Sequence, residues 1–213
     1  MNGGADPAMD GLREPDGRDG VRSPGGEQAT AELLERIRRG DAAAFEAVAR
    51  EHAPRLFRLA LRLSGRREDA EDLVQETLVR ALPRLGRFEG RARLSTYLVR
   101  ALVNLWKNRL RSRKRSRIVA WVFGSREHGE ATPEPADARP SPLEQLETAE
   151  RAARVRTAVA QLEPTRRLTL LLREVEMLSY EEIAVMTGVP VGTVRSRIAR
   201  ARDELRRRLG DGP

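Results

Sequence analysis

Apolar residues along this chain recur at the three- and four-residue spacing of helices, and the strict alternation of half-buried strands is nearly absent. Leu33, Leu34 and Ile37, then Ala44, Phe45 and Val48 beyond Gly40-Asp41, suggest two short helices. Arg55–Leu63 continues with Leu56, Leu59, Ala60 and Leu63 on one face and ends near Ser64-Gly65. The next segment is the clearest, with Ala70, Leu73, Val74, Thr77, Leu78 and Ala81 on a single stripe. Glu68 and Asp69 sit in its first turn, where the helix dipole favours negative charge, and Pro83 marks its end. Gly86–Thr96 reads as a loop, and Tyr97–Arg117 as one long helix with Leu98, Leu102, Leu105 and Trp106 inward. Leu143–Leu162 is helical through Leu146, Ala149, Ala153, Val155, Val159 and Leu162, and breaks at Glu163-Pro164. Thr165–Glu176 follows, with Leu168, Leu171, Leu172 and Val175 buried.

Leu178–Leu209 carries the sharpest local signal. Ser179-Tyr-Glu-Glu182 has the form of a capping box, in which the Ser179 hydroxyl takes an orphan amide and Glu182 reaches back to the amide of Ser179. Ile183, Ala184 and Met186 give a short helix, and Gly188 suits the left-handed residue that ends it. A tight turn over Val189–Thr193 leads into a second helix with Val194, Ile198, Ala201 and Leu205 inward. Its outward face holds Thr193, Arg195, Ser196, Arg197, Ala199, Arg200 and Arg202. Capping box, glycine turn and one-sided arginines together make a helix-turn-helix, whose second helix reads base edges in the major groove while flanking arginines meet phosphates. Pro190 offers no side-chain acceptor at the start of that helix, but its fixed φ pre-sets the first turn.

Charge divides the chain. Over 213 residues, 40 Lys and Arg against 32 Asp and Glu leave a net +8, which points to a polyanionic partner. Met1–Thr30 holds seven Gly, three Pro, six acids and three Arg, too little apolar surface to fold, and reads as a disordered tail. Val99–Arg117 has eight basic residues and no acid; Arg126–Glu150 reverses to seven acids, two Arg and four Pro; Arg195–Leu209 reverses again with seven Arg. The expected fold class is therefore all-α: two small helical domains joined by a flexible acidic linker, the second a helix-turn-helix.

Several chemistries are excluded or left open. There is no Cys, so disulfides, thiolate metal sites and thiol nucleophiles are out. The longest apolar run, Ile118–Phe123, is far short of the roughly 20 residues that span a bilayer. Met1–Gly20 has four Asp and no apolar core, unlike a signal peptide. The two His, His52 and His128, lie apart without a carboxylate constellation, so no catalytic residue, metal site or cofactor is expected. Asp69, Asp72 and Glu76 form a carboxylate trio with no His nearby. On the same helix Asp72, Gln75, Glu76 and Val79 make a second stripe, either plain surface or a face for a partner. Tyr97, Asn104 and Trp106 interleave with positive charge, as single-strand binding uses, although Trp106 equally suits a core.

The segments Asp69–Ala81, Phe88-Glu-Gly90, Thr96-Tyr-Leu98, Asn104 with its trailing Arg run, Leu178–Ala184 and Val191–Ala201 resemble those of extracytoplasmic-function sigma factors of bacterial RNA polymerase. The likeness covers about Ala29–Leu209. It implies a disordered tail over 1–28, a region 2 domain over 29–117, an acidic linker over 118–142 and a region 4 helix-turn-helix domain over 143–210. It implies core polymerase (β′ clamp and β subunits) and promoter DNA as partners, an anti-sigma factor besides, a cytoplasmic location and no small-molecule substrate. By resemblance, Asp72, Gln75, Glu76 and Val79 dock on the β′ clamp. Arg91, Arg93, Asn104, Lys107, Asn108 and Arg111 capture the melted downstream element, where a flipped base is held. Thr193, Arg195, Ser196, Arg197, Ala199 and Arg200 read the upstream duplex. The resemblance threads the acidic linker through the polymerase near its active site, where composition alone equally fits a plain tether. A stand-alone helix-turn-helix regulator is the alternative function, but it has no need of the Asp72 stripe.

Overall fold

The computed structural model describes residues 24–88, 93–123 and 142–210. Eight α-helices account for most of them, with no strand among the described residues: α1 Pro24–Arg38, α2 Ala42–Ser64, α3 Arg67–Ala81, α4 Leu94–Phe123, α5 Pro142–Ala160, α6 Pro164–Glu174, α7 Tyr180–Thr187 and α8 Val191–Leu209. A 3-10 helix, Leu82–Arg87, follows α3. The chain divides into two compact units, Met1–Ala60 with Glu71–Glu127, and Leu61–Ala70 with His128–Pro213.

In the first unit the apolar faces read from sequence are the buried ones. Leu56, Leu59 and Ala60 of α2, Leu73, Val74, Thr77 and Ala81 of α3, and Leu98, Leu102 and Leu105 of α4 are all buried. Asp41 starts α2 by accepting from the amides of Ala43 (2.9 Å) and Ala44 (3.3 Å), and the Arg36 guanidinium beside it lowers its carboxyl pKa. From there α2 runs as one helix through Pro54. The apolar stripe of Val48, Leu56 and Leu59 continues in register across the proline, which lies on the exposed side. Burial on both sides of the break thus offsets the lost hydrogen bond.

Three boundaries differ from expectation. Pro24–Thr30, read as disordered tail, belongs to α1; the rest of the tail lies outside the described residues. The loop read over Gly86–Thr96 is shorter, because the 3-10 helix reaches Arg87 and α4 already begins at Leu94. Leu94 is itself buried, which extends the apolar face of α4 one turn earlier. At its other end α4 runs to Phe123, so Ile118–Phe123, assigned to the linker, is helical; 124–141 lies outside the described residues.

The second unit is built around α8, which packs on α5, α6 and α7, with α6 also against α7. Leu162, Leu168, Leu171, Leu172, Ile183, Met186, Val194 and Ile198 fill its core. Val175, expected buried, is exposed instead, as are Ala153 and Val155 of α5. The reason at Val175 is that α6 stops at Glu174 and the chain turns, with Met177 in the left-handed region at φ 55°. Arg167 closes the end of α5, its Nη2 donating to the carbonyls of Ala160 and Leu162.

Carboxylates tie this unit together in a pH-dependent way. Glu163 caps α6, accepting from the Arg166 amide (3.1 Å) and the Thr165 hydroxyl (2.5 Å). Burial works to raise its pKa, but those hydrogen bonds outweigh it and the carboxyl ends below its ordinary value. Glu204 on α8 is held below its ordinary value chiefly by Arg208 and then Arg166, which brings α6 and α8 together. A carboxyl depressed in the folded state stabilises above its ordinary value and loses that contribution as pH falls through the folded one. The thermal midpoint, followed by far-UV circular dichroism, is expected to drop as pH falls below about 4.5, and the drop is expected to be shallower in Glu204→Gln.

Candidate nucleic-acid interface

The helix-turn-helix is assembled as its sequence indicates. Ser179 Oγ accepts from the Glu182 amide at 3.1 Å, and Glu182 Oε2 accepts from the Ser179 amide at 2.7 Å, closing the capping box. Gly188 ends α7 at φ 72°, ψ 37°, and its amide donates to the Ala184 carbonyl at 2.8 Å. A side chain there pays the left-handed penalty, so the turn into α8 depends on this glycine. Pro190 precedes α8 at φ −58° with no side-chain cap, and its carbonyl takes the amides of Thr193 and Val194.

Ion pairing sorts the arginines of α8. Arg202 pairs with Glu174 (2.5 Å), Arg206 with Asp203 (2.6 Å) and Arg208 with Glu204 (2.7 Å). Among the described residues no carboxylate pairs with Arg195, Arg197 or Arg200. Three of the four arginines of α8 unpaired among the described residues therefore lie on its first half, the part that enters a groove in helix-turn-helix proteins, and the fourth, Arg207, stands in its last turn. Thr193, Arg195, Ser196, Ala199 and Arg200 line its outer side, with Arg195, Ser196, Ala199 and Arg200 exposed and Thr193 and Arg197 partly so. Arg202, read as part of the same face, is engaged inside the unit.

In the first unit, Asn104, Lys107, Asn108 and Arg111 fall on one face of α4, and Arg111 Nη1 donates to Asn108 Oδ1 at 3.4 Å. Arg100 continues that stripe one turn earlier, half-buried, and burial lowers its pKa. Sequence reading passed over it, although its spacing to Asn104, Lys107 and Arg111 was the available signal. Tyr97 and Trp106 do not interleave with the basic face: they are 5% and 8% exposed and belong to the core. Stacking on these rings is thereby excluded, and the apolar register of α4 is the physical reason. Tyr97 meets the Phe88 ring edge-on at 5.2 Å, and the Phe88 carbonyl accepts from Arg38 Nη2 at 3.0 Å. These contacts anchor the start of the loop, and Arg93 stands exposed at its far end. Arg91 lies outside the described residues.

Asp72, Gln75 and Val79 stand exposed along one face of α3, Val79 at 65%. Glu76 is turned inward to α4 instead, bonded by Arg109 Nη2 (2.5 Å) and Nε (3.1 Å), and paired with Arg80 at 2.6 Å. No cluster of three His, Cys, Asp or Glu suited to a metal occurs among the described residues, the carboxylate trio Asp69, Asp72 and Glu76 included. None of the described helices is long and apolar enough to cross a membrane.

An all-α chain with a capped helix-turn-helix whose leading arginines have no carboxylate partner among the described residues, beside a separate helical unit, has the architecture of a DNA-binding protein. Comparison with known proteins narrows this. Residues 48–116 match the family model for sigma-70 region 2, and residues 143–205 that for sigma-70 region 4. The chain is 35% identical to the RNA polymerase sigma-H factor of Pseudomonas aeruginosa, over 84% of this chain and 92% of that protein. It is 38% identical to the ECF RNA polymerase sigma factor SigE of Mycolicibacterium smegmatis, covering 78% of this chain and 63% of that one. Among solved structures, the sigma factor RpoE of Bartonella quintana, in complex with the anti-sigma factor NepR, matches with a TM-score of 0.59 at 25% identity, over 90% of this chain and all of that one. The chain belongs to the extracytoplasmic-function sigma factors. It directs RNA polymerase to promoters, and is not a stand-alone regulator.

Proposed function

We propose that three surfaces divide the labour of promoter recognition, each on the residues read from the sequence. Asp72, Gln75 and Val79 attach α3 to the β′ clamp of core polymerase, and Glu76 acts there mainly by holding α3 to α4. Arg91, Arg93, Asn104, Lys107, Asn108 and Arg111 take the melted downstream element. Thr193, Arg195, Ser196, Arg197, Ala199 and Arg200 read the upstream duplex. The observation that carries this division is the half of α8 whose arginines have no carboxylate partner, facing away from the core of its unit. The same reading takes the first domain from α1 to the end of α4 at Phe123 and the second from the start of α5 at Pro142, with the acidic stretch between them passing through the polymerase. It makes the protein cytoplasmic, without chemistry of its own, and controlled by an anti-sigma partner as the Bartonella protein's complex suggests.

The test separates attachment from recognition. Promoter fragments are first recovered by run-off transcription over a genomic library with wild-type chain and core polymerase. Asp72→Ala combined with Gln75→Ala is expected to weaken pull-down by core polymerase at least several-fold while leaving the thermal midpoint unchanged, since both side chains are exposed. Unaltered core binding in that double variant overturns the assignment of α3.

A further inference from the structure

Tyr180 entered the sequence reading only as a spacer within the capping box. In the structure it is the first residue of α7, and its ring gathers charge from both neighbouring helices. The Arg173 guanidinium of α6 lies 5.2 Å from the ring centroid, and that of Arg195 of α8 lies 5.8 Å from it. Both distances are within the reach of a cation–π contact. Arg173 is fixed in turn by donating from Nη1 to the Leu178 carbonyl at 2.9 Å. Arg202, two turns beyond Arg195 on α8, is held by Glu174 at 2.5 Å. Glu174 first, and Tyr180 after it, strengthen the hold of Arg202 on its proton.

The two ways of holding an arginine have different consequences. A carboxylate fixes a guanidinium and cancels its charge, as Glu174 does for Arg202. An aromatic face fixes a guanidinium and leaves the full charge and the N–H donors available. Among the described residues no carboxylate pairs with Arg195, so the Tyr180 ring is what restrains it. We propose that Tyr180 is a positioning residue for promoter recognition: its ring pre-orders Arg195 toward the upstream duplex without neutralising it. The entropy of ordering a long side chain is then met before DNA arrives.

This inference rests on the reading of Arg195 as a DNA contact, and the experiment keeps the two apart. Holoenzyme carrying Tyr180→Leu, Tyr180→Phe, Arg195→Ala or Tyr180→Leu with Arg195→Ala is titrated on the recovered promoter fragment, and binding is read by fluorescence anisotropy. Tyr180→Leu is expected to weaken binding about three- to tenfold, and Tyr180→Phe, which keeps the ring, to restore it to within about twofold. In the Arg195→Ala background Tyr180→Leu is expected to cost less than about twofold, because the side chain it served is gone. If Tyr180→Leu costs the same in both backgrounds, or Tyr180→Phe is as damaged as Tyr180→Leu, Tyr180 serves the fold and the proposal fails. If Arg195→Ala alone binds as well as wild type, it is the reading of Arg195 that fails.

Discussion

Arg200→Ala is expected to cut transcription from a cognate promoter by about 5- to 150-fold, with core-polymerase binding and thermal stability unchanged. The magnitude is that of one good arginine contact to a base pair, about 1–3 kcal/mol of discrimination. Stability is spared for three reasons. The side chain is exposed, no carboxylate among the described residues depends on it, and alanine is the better helix former. Arg202→Ala offers the contrast on the same helix, since it breaks the ion pair to Glu174 and acts on the fold as well. Promoter variants decide how Arg200 acts: a base contact gives a loss concentrated at one position, whereas a phosphate contact weakens every sequence alike. Loss of core binding in Arg200→Ala contradicts separable surfaces.

The difference between Arg200 and Arg202 also marks where sequence reading reaches its limit. Local chemistry was legible: Ser179 and Glu182 lie three residues apart and Gly188 falls where a left-handed residue is needed, so capping box and turn follow from spacing alone. Periodicity likewise placed Leu73, Leu102 and Ile198 in the core. Partners distant in the chain were not legible. Nothing near Glu76 in sequence indicates that Arg109, 33 residues on, draws it out of the exposed stripe. Nothing near Arg202 points to Glu174, 28 residues back. Aromatics were ambiguous for a related reason: Trp106 sits among basic residues in sequence and suits core or stacking equally, and it is its position on the apolar face of α4 that decides for the core. Met177 is a different case, because a left-handed methionine is imposed by the geometry between α6 and α7, and residue type gives no hint of it.

The second large effect is expected from Ile183→Ala, in the core of the helix-turn-helix. Ile183 is wholly buried on α7, and α7 packs on both α6 and α8. Removing a buried isoleucine down to alanine costs about 2–5 kcal/mol, because the lost transfer energy and the cavity add. A helical unit of this size holds only about 5 kcal/mol or so in reserve. The unit is therefore expected to be partly unfolded at 37 °C, and urea unfolding followed by circular dichroism should show its transition at markedly lower denaturant. Promoter-specific transcription should collapse more completely than in Arg200→Ala, since all six residues proposed for the upstream element lose their frame rather than one its contact. Core binding through Asp72 and Gln75 should persist, because those side chains belong to the other unit. Ile183→Val, which removes one methylene and leaves the branch, calibrates the measurement at about 0.5–1.5 kcal/mol. A loss in Ile183→Ala no larger than in the valine variant would show that α7 collapses onto the vacated space and that α6 and α8 alone sustain the unit.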